Sequence, residues 1–168
     1  MSASPRPWHP ALQKERGAYL MSLVRGKARD FFSESGECLV SDQIDFDSSH
    51  RTVPPSPFYL RERVNTVLAL MAGDAEEAAF GNLILAQIPL SPCDDFSTMN
   101  LIEMLLRHPQ AVSAENTQRL LEVIAHEATL IQRDYNFFVG ANDNFPAMGC
   151  FIMVVGGEMV NDDRAVQA

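Results

Sequence analysis

Residues 139–157, VGANDNFPAMGCFIMVVGG, decide the fold that this sequence predicts. The polar cluster Asn142–Asn144 stands directly before Pro146, and an apolar run over residues 148–155 follows it. This order is typical of a helix start, because short Asn and Asp side chains accept hydrogen bonds from the first free N–H groups. The run is apolar on all sides, so we expect a buried helix over residues 146–160.

Helical spacing of apolar residues predicts five further helices upstream. They cover residues 10–33, 60–72, 75–88, 97–107 and 114–133, and we expect Ser97 and Ser113 to cap the last two. No stretch alternates between apolar and polar residues as a strand would, apart from a short candidate strand near Cys38. The expected fold is therefore all-α, built from consecutive antiparallel helical hairpins. We expect residues 1–10 to be a flexible N-terminus and residues 11–168 a single helical domain, in which 37–58 is a long irregular connection.

Two sets of apolar residues follow from this pattern. The first helix carries an apolar face made of Leu12, Tyr19, Leu20, Leu23, Val24 and Phe31. The expected core includes Leu68, Leu121, Phe151, Ile152, Val154 and Val155, with Cys150 as a small buried hydrophobic residue.

Charge and cysteine usage exclude several classes of partner. The formal net charge of −9 argues against nucleic acid and against an anionic membrane surface, since both require Lys and Arg. Three widely spaced cysteines favour a reducing compartment, and the N-terminus has no apolar segment typical of a secretory signal. We therefore expect a soluble, cytoplasmic protein.

The common catalytic and metal-binding motifs are missing from the sequence. The four histidines form no HxH, HxxxH or HExxH pattern, and the acids around Asp45 lack the glycine and distal Glu of a calcium loop. There is no Walker A sequence and no GxSxG elbow, and Gly156-Gly157 is expected to end a helix rather than open one. We expect no metal and no cofactor.

One polar segment remains as a candidate site. Tyr135, Asn136, Asn142, Asp143 and Asn144 lie within ten residues of one another, and amides and carboxylates match sugar hydroxyls as donors and acceptors. A carboxylate beside a buried apolar helix can have a raised pKa and act as a general acid. The alternative is an ordinary helix cap, with Asn144 as the capping residue and Asp143 at the positive end of the helix dipole.

A loose repeat links this segment to two earlier helices. Three helices are expected to start near residues 61, 97 and 146, and Asn65, Asn100 and Asn144 lie at or near these starts. The string GANDNFPAMGCFIMVVGGE, preceded by paired helices, resembles an inner helix of an (α/α) toroid, the helical barrel of six-hairpin glycosidases and of alginate-lyase or heparinase-like polysaccharide lyases. The resemblance covers roughly residues 60–168 and rests on pattern rather than on an exact motif.

The resemblance implies a carbohydrate-active function. It makes Asp143 and Tyr135 the nearest catalytic candidates, and Asn142, Asn144, Asn100 and Asn65 candidates for binding an oligosaccharide. A closed toroid needs about twice as many helices, so this chain would be part of a ring, inactive alone or completed by a homo-oligomer. The competing hypothesis is a non-catalytic acidic helical interaction module, whose exposed apolar face binds a partner or a second copy.

Overall fold

The computed structural model describes residues 10–39, 57–90, 93–134 and 145–162. Helices make up most of these residues, and the only β-type pairing among them is an isolated antiparallel bridge between Phe32 and Cys38. The all-α prediction is therefore confirmed. The helices are α1 (Pro10–Phe31), α2 (Pro57–Met71), α3 (Ala75–Gln87), α4 (Asp95–Arg107), α5 (Ala114–Asp134), α6 (Phe145–Phe151), a π-helical segment (Ile152–Gly156) and α7 (Gly157–Met159).

Helix starts are set by short side chains that accept hydrogen bonds from free backbone N–H groups. The carboxylate of Asp74 accepts from the Glu77 N–H at 2.9 Å, and the Glu77 carboxylate accepts from the Asp74 N–H at 3.0 Å, which forms a capping box at α3. Ser113 caps α5 as expected, with its Oγ accepting from the Asn116 N–H at 3.2 Å. These interactions fix where α3 and α5 begin.

The predicted cap of α4 was wrong. Asp94 is the capping residue, and Ser97 lies in the first turn, where its N–H and its hydroxyl both donate to the Asp94 carboxylate at 3.0 and 2.7 Å. A carboxylate can accept both hydrogen bonds at once. Asp94 therefore caps the helix in place of Ser97, although serine is also a suitable capping residue. The α4 helix therefore begins two residues before the position that the sequence predicted.

The core is centred on α4. This helix packs against α2, α5 and the C-terminal helix, which consists of α6, the π-helical segment and α7. Among its side chains Leu101, Ile102 and Met104 are completely buried. From α2, Val64 and Val67 are equally buried, so the α2–α4 contact carries much of the apolar burial that stabilises the fold.

The C-terminal helix is buried on one side only. Its buried residues come in pairs, 148–149, 152–153 and 156–157, whereas Cys150, Val154 and Glu158 are exposed. This repeat of four residues is wider than the 3.6 of an α-helix and agrees with the π-helical winding between α6 and α7. The prediction of all-round burial was therefore wrong for Val154, which is 43% exposed, and for Cys150, and Phe151 and Val155 are only partly buried. Ile152 is fully buried as expected.

Glycine serves packing in this helix rather than termination. The helix continues through Gly156 and Gly157, contrary to the expectation that this pair would end it. A Cβ on Gly156 would lie 3.0 Å from Ile124 Cγ2 on α5 and 3.4 Å from Ile102 Cδ1 on α4. The missing side chain thus lets three helices approach closely.

Other boundaries and burial predictions differ only slightly. The second helix begins at Pro57 rather than near residue 60, which shortens the connection predicted over 37–58; proline is well suited to a first helical position. Leu68 is buried as expected, and Leu121 is half-buried against the core.

Candidate interaction surface

The α1 helix exposes a set of large apolar side chains. We define the α1 face as the five exposed apolar residues of α1 together with Leu39, which follows the helix and donates its N–H to the Phe31 carbonyl at 2.8 Å. The exposed fractions are 63% for Tyr19, 60% for Leu20, 48% for Leu23, 39% for Val24, 48% for Phe31 and 62% for Leu39. The apolar face predicted for the first helix therefore exists from Tyr19 to Phe31, and within the described part of the chain no other element covers it. The side chain of Leu12, which was also predicted for this face, lies outside the described residues.

Only the C-terminal half of α1 is anchored to the rest of the protein. Residues 13–20 are all exposed, whereas Ala28 and Phe32 are buried at 1% and 5% exposure. Ion pairs add to this anchor, since Arg25 Nε lies 3.1 Å from Glu77 Oε2 and Arg29 Nη2 lies 2.9 Å from Glu76 Oε1. The helix thus contacts α2 and α3 along one edge and leaves its apolar side open.

A tight turn fixes the end of α1. Gly36 adopts φ +86°, and a Cβ there would lie 2.5 Å from the carbonyl carbon of Leu83 on α3. Its N–H donates to the Ser33 carbonyl at 2.9 Å, and the turn brings Cys38 back beside Phe32. Only a residue without a side chain fits both this φ and this closeness to the α3 backbone.

A groove of about 520 Å³ runs between α1 and α2. Its α1 wall is mainly apolar and includes Leu23, Val24 and Phe31 of the α1 face. Its α2 wall is polar and consists of Glu62, Arg63, Asn65 and Thr66. We call this the α1–α2 groove. Its size and mixed lining are typical of sites that accept an amphipathic ligand or a partner side chain.

Charge is distributed unevenly between α1 and the remaining chain. The helix holds five basic and two acidic side chains, a net charge of +3, so the remaining residues carry −12 of the total of −9. Lys27, which lines the groove, lies 3.0 Å from Asp30, and both side chains are more than half exposed. The α1 helix is therefore basic within an acidic protein, and two of its five basic side chains, Arg25 and Arg29, pair with acids of α3.

Two of the predicted oligosaccharide-binding residues meet in the structure. Asn100 Nδ2 donates to Asn65 Oδ1 at 2.6 Å, which joins α4 to α2 at the surface beside the groove. Asn65 lies in the middle of α2 and not at its start, because α2 begins at Pro57. The other predicted site residues, Tyr135, Asn142, Asp143 and Asn144, lie outside the described residues.

A buried polar group lies between the α3–α4 connection and α5. Burial raises the pKa of Glu127, which is only 8% exposed, above its ordinary value of 4.5, although the Cys93 N–H donates to its carboxylate. Burial also raises the pKa of the Cys93 thiol to about 12. A thiol with so high a pKa is protonated at neutral pH and is a poor nucleophile.

The described ranges hold neither a metal-binding cluster nor a helix suited to span a membrane. These ranges contain no group of three or more His, Cys, Asp or Glu side chains that could hold a metal ion. None of their helices combines the length and the apolar character needed to cross a bilayer. Comparison of the chain with models of known protein families, with characterised proteins and with solved structures finds no match.

The sequence pattern identified the apolar face of α1 but not its exposure. Amphipathic spacing indicates which side of a helix is apolar, whereas its covering depends on contacts distant in sequence. One signal was available: the basic residues Arg16 and Lys27 fall within the same stripe, which is unusual for a helix side that packs against a core.

Proposed function

We propose that this chain is a non-catalytic interaction module that binds another polypeptide through the α1 face. The observation that carries the proposal is the exposure of five large apolar side chains along one side of a helix whose opposite edge is anchored. Burying one such apolar side chain within the folded chain would stabilise the fold by about 1.5–3 kcal/mol. Because no other described element covers them, we take a partner polypeptide to be what buries them.

The size of the surface agrees with a modest protein interface. The six side chains of the α1 face together expose on the order of 500 Å², taking 150–200 Å² for a fully exposed side chain of this kind. A standard interface buries about 800 Å² per partner, and exposed apolar patches of several hundred Å² commonly mark binding sites. The walls of the α1–α2 groove supply the remaining contact area.

The groove favours a helical partner. An amphipathic helix laid along α1 would place apolar side chains every three or four residues against Leu20 and Leu23 and into the groove. We expect this binding to occur in the cytoplasm, because three widely spaced cysteines favour a reducing compartment. A second copy of this chain is one polypeptide that the surface could bind.

Selection from a displayed library of random 16-residue peptides tests the proposal. Peptides that bind the protein should lose at least tenfold in affinity for Leu23→Asp, since the substitution places a charge in the centre of the surface. The matched control is Leu106→Asp, because Leu106 is 54% exposed, similar to the 48% of Leu23, but lies on α4. Peptides that bind both variants equally, or a selection that yields no binder, would exclude the proposal.

A carbohydrate-active role is the second candidate, and the hydrogen bond between Asn65 and Asn100 favours it. Paired amides at a surface present donors and acceptors that suit sugar hydroxyls. In this hypothesis the chain is part of an (α/α) toroid, with Asp143 as general acid and Tyr135, Asn142 and Asn144 beside it. Calorimetric titration with saturated and unsaturated uronic-acid oligosaccharides should then show binding that Asn100→Ala weakens, and cleavage that Asp143→Asn removes. Absence of heat with the unmodified protein would exclude it.

A further inference from the structure

We infer that the partner of the α1 face is an acidic amphipathic helix; this inference rests on the proposed function and identifies the chemistry of its ligand. It follows from the positions of two basic side chains relative to the apolar ones. A single row along α1 at spacings of four, three and four residues contains Arg16, Leu20, Leu23 and Lys27. Residues at these spacings lie on the same side of a helix.

Each end of this row carries a cation, and its centre is apolar. Arg16 and Lys27 are both exposed, and eleven residues of helix separate them by about 16 Å at 1.5 Å per residue. A partner helix lying against the row meets two leucines in the middle and one cation at each end. Carboxylates at matching positions of the partner complement these cations, whereas lysines there would face them at close range.

The remaining cations of α1 do not compete for this role. Arg25 and Arg29 are paired with Glu77 and Glu76 of α3, on the anchored edge of the helix. Lys27 keeps Asp30 at 3.0 Å, but with 71% of its side chain exposed it still presents its charge to a partner. The row therefore carries a cation at each end, and its neighbouring acids are Asp30, beside Lys27, and Glu62, on the facing wall of the α1–α2 groove.

Lys14 offers a control on the same helix. It is exposed and basic like Arg16, but it lies two residues away and so points about 160° away from the row. Arg16→Glu and Lys14→Glu change the net charge of the protein equally. Only the first alters the charge at the proposed interface.

The experiment uses one selected peptide in three synthetic versions, which carry glutamate, glutamine or lysine at the polar positions that flank its apolar face and share the same apolar residues. Fluorescence anisotropy at 150 mM salt should give the order glutamate, glutamine, lysine from tightest to weakest. Arg16→Glu should weaken the glutamate peptide roughly fivefold and tighten the lysine peptide, while Lys14→Glu should change either by less than twofold. Raising the salt to 1 M should remove most of the difference between the peptides.

Several outcomes would overturn the inference, and all but the last of them leave the proposed function intact. Equal affinity of the three peptides, or equal effects of Arg16→Glu and Lys14→Glu, would show that charge does not select the partner. Light scattering that detects a dimer lost in Leu23→Asp would identify a second copy as the occupant. Binding to phosphatidylserine vesicles that Leu23→Asp abolishes, without peptide binding, would identify a membrane instead and would remove the proposed function as well.

Discussion

Replacement of Gly36 by alanine should be among the most destabilising single-methyl changes in this protein. The residue has φ +86°, where an L-residue costs about 1–2 kcal/mol relative to glycine. The new Cβ would also lie 2.5 Å from the carbonyl carbon of Leu83 and 2.6 Å from the backbone nitrogen of Ile84. Because backbone atoms of a packed helix cannot move aside cheaply, overpacking adds about 1–3 kcal/mol.

The combined loss in free energy of unfolding is about 2–5 kcal/mol. For a chain of this size it lowers Tm by roughly 5–15 °C, and urea unfolding followed by circular dichroism measures it directly. Gly26→Ala is the matched control, because its Cβ meets no atom within 4 Å and it lies in the interior of α1. That control should gain up to about 1 kcal/mol. A loss below about 0.5 kcal/mol for Gly36→Ala would refute the close packing of this turn against α3.

Three further changes test the buried Glu127, the part-buried Asn82 and the glycine contact of the C-terminal helix. Burial raises the pKa of Glu127 above 4.5, so the folded protein keeps the proton on this carboxyl to a higher pH than the unfolded chain does. The free energy of unfolding should therefore fall as pH rises from 4.5 through the folded pKa. Glu127→Gln should flatten this slope and unfold at higher urea than the parent at pH 8. Asn82→Ala should lower the free energy of unfolding in urea by about 2–4 kcal/mol. The Asn82 amide donates to the Ala111 carbonyl at 2.8 Å and accepts from the Ser113 N–H at 2.8 Å, and the substitution removes both hydrogen bonds. The control Asn65→Ala, at an exposed position, should lower it by under about 0.5 kcal/mol. Gly156→Ala should lower Tm through an overpacking cost of about 1–3 kcal/mol, because the new Cβ would lie 3.0 Å from Ile124 Cγ2.

Local sequence signals predicted most of the helices because their ends are marked by local chemistry. The pair Asp74 and Glu77 forms a capping box within four residues, and Ser113 stands directly before α5, so both starts were visible in the sequence. The start of α4 was missed by two residues because Asp94 and Ser97 are both competent caps. Which of the two caps the helix depends on which side chain can accept two hydrogen bonds in the folded turn.

Long-range contacts could not be predicted in the same way. The Asn82 side chain joins α3 to the start of α5 across about thirty residues, and Arg119 donates to the Leu85 carbonyl at 2.6 Å to complete the end of α3. Polar residues in these positions look like surface residues in the sequence. Their partners are backbone groups, which every residue possesses, so no pattern of residue types announces the pairing.

The candidate site shows the same division between local and distant information. Helical spacing placed Leu20 and Leu23 on one apolar side of α1, which the structure confirms. It could not show that this side remains open, because exposure depends on α2 and α3 leaving it uncovered. The polar segment around Asp143 was the more visible signal in the sequence, and its role as a general acid or as a helix cap stays a prediction for the oligosaccharide experiment.

Net charge describes the whole chain, whereas recognition depends on the charge within a Debye length of the contact, about 8 Å at physiological salt. The formal net charge of −9 is a property of the whole chain and argues against extensive contact with phosphates. It does not describe α1, where the exposed apolar row lies between Arg16 and Lys27. An acidic helix approaching this protein would be repelled at long range and attracted at the α1 face. The acidic remainder of the chain would then disfavour its binding elsewhere, and the same charge distribution that weakens non-specific contact would direct an acidic partner to one surface.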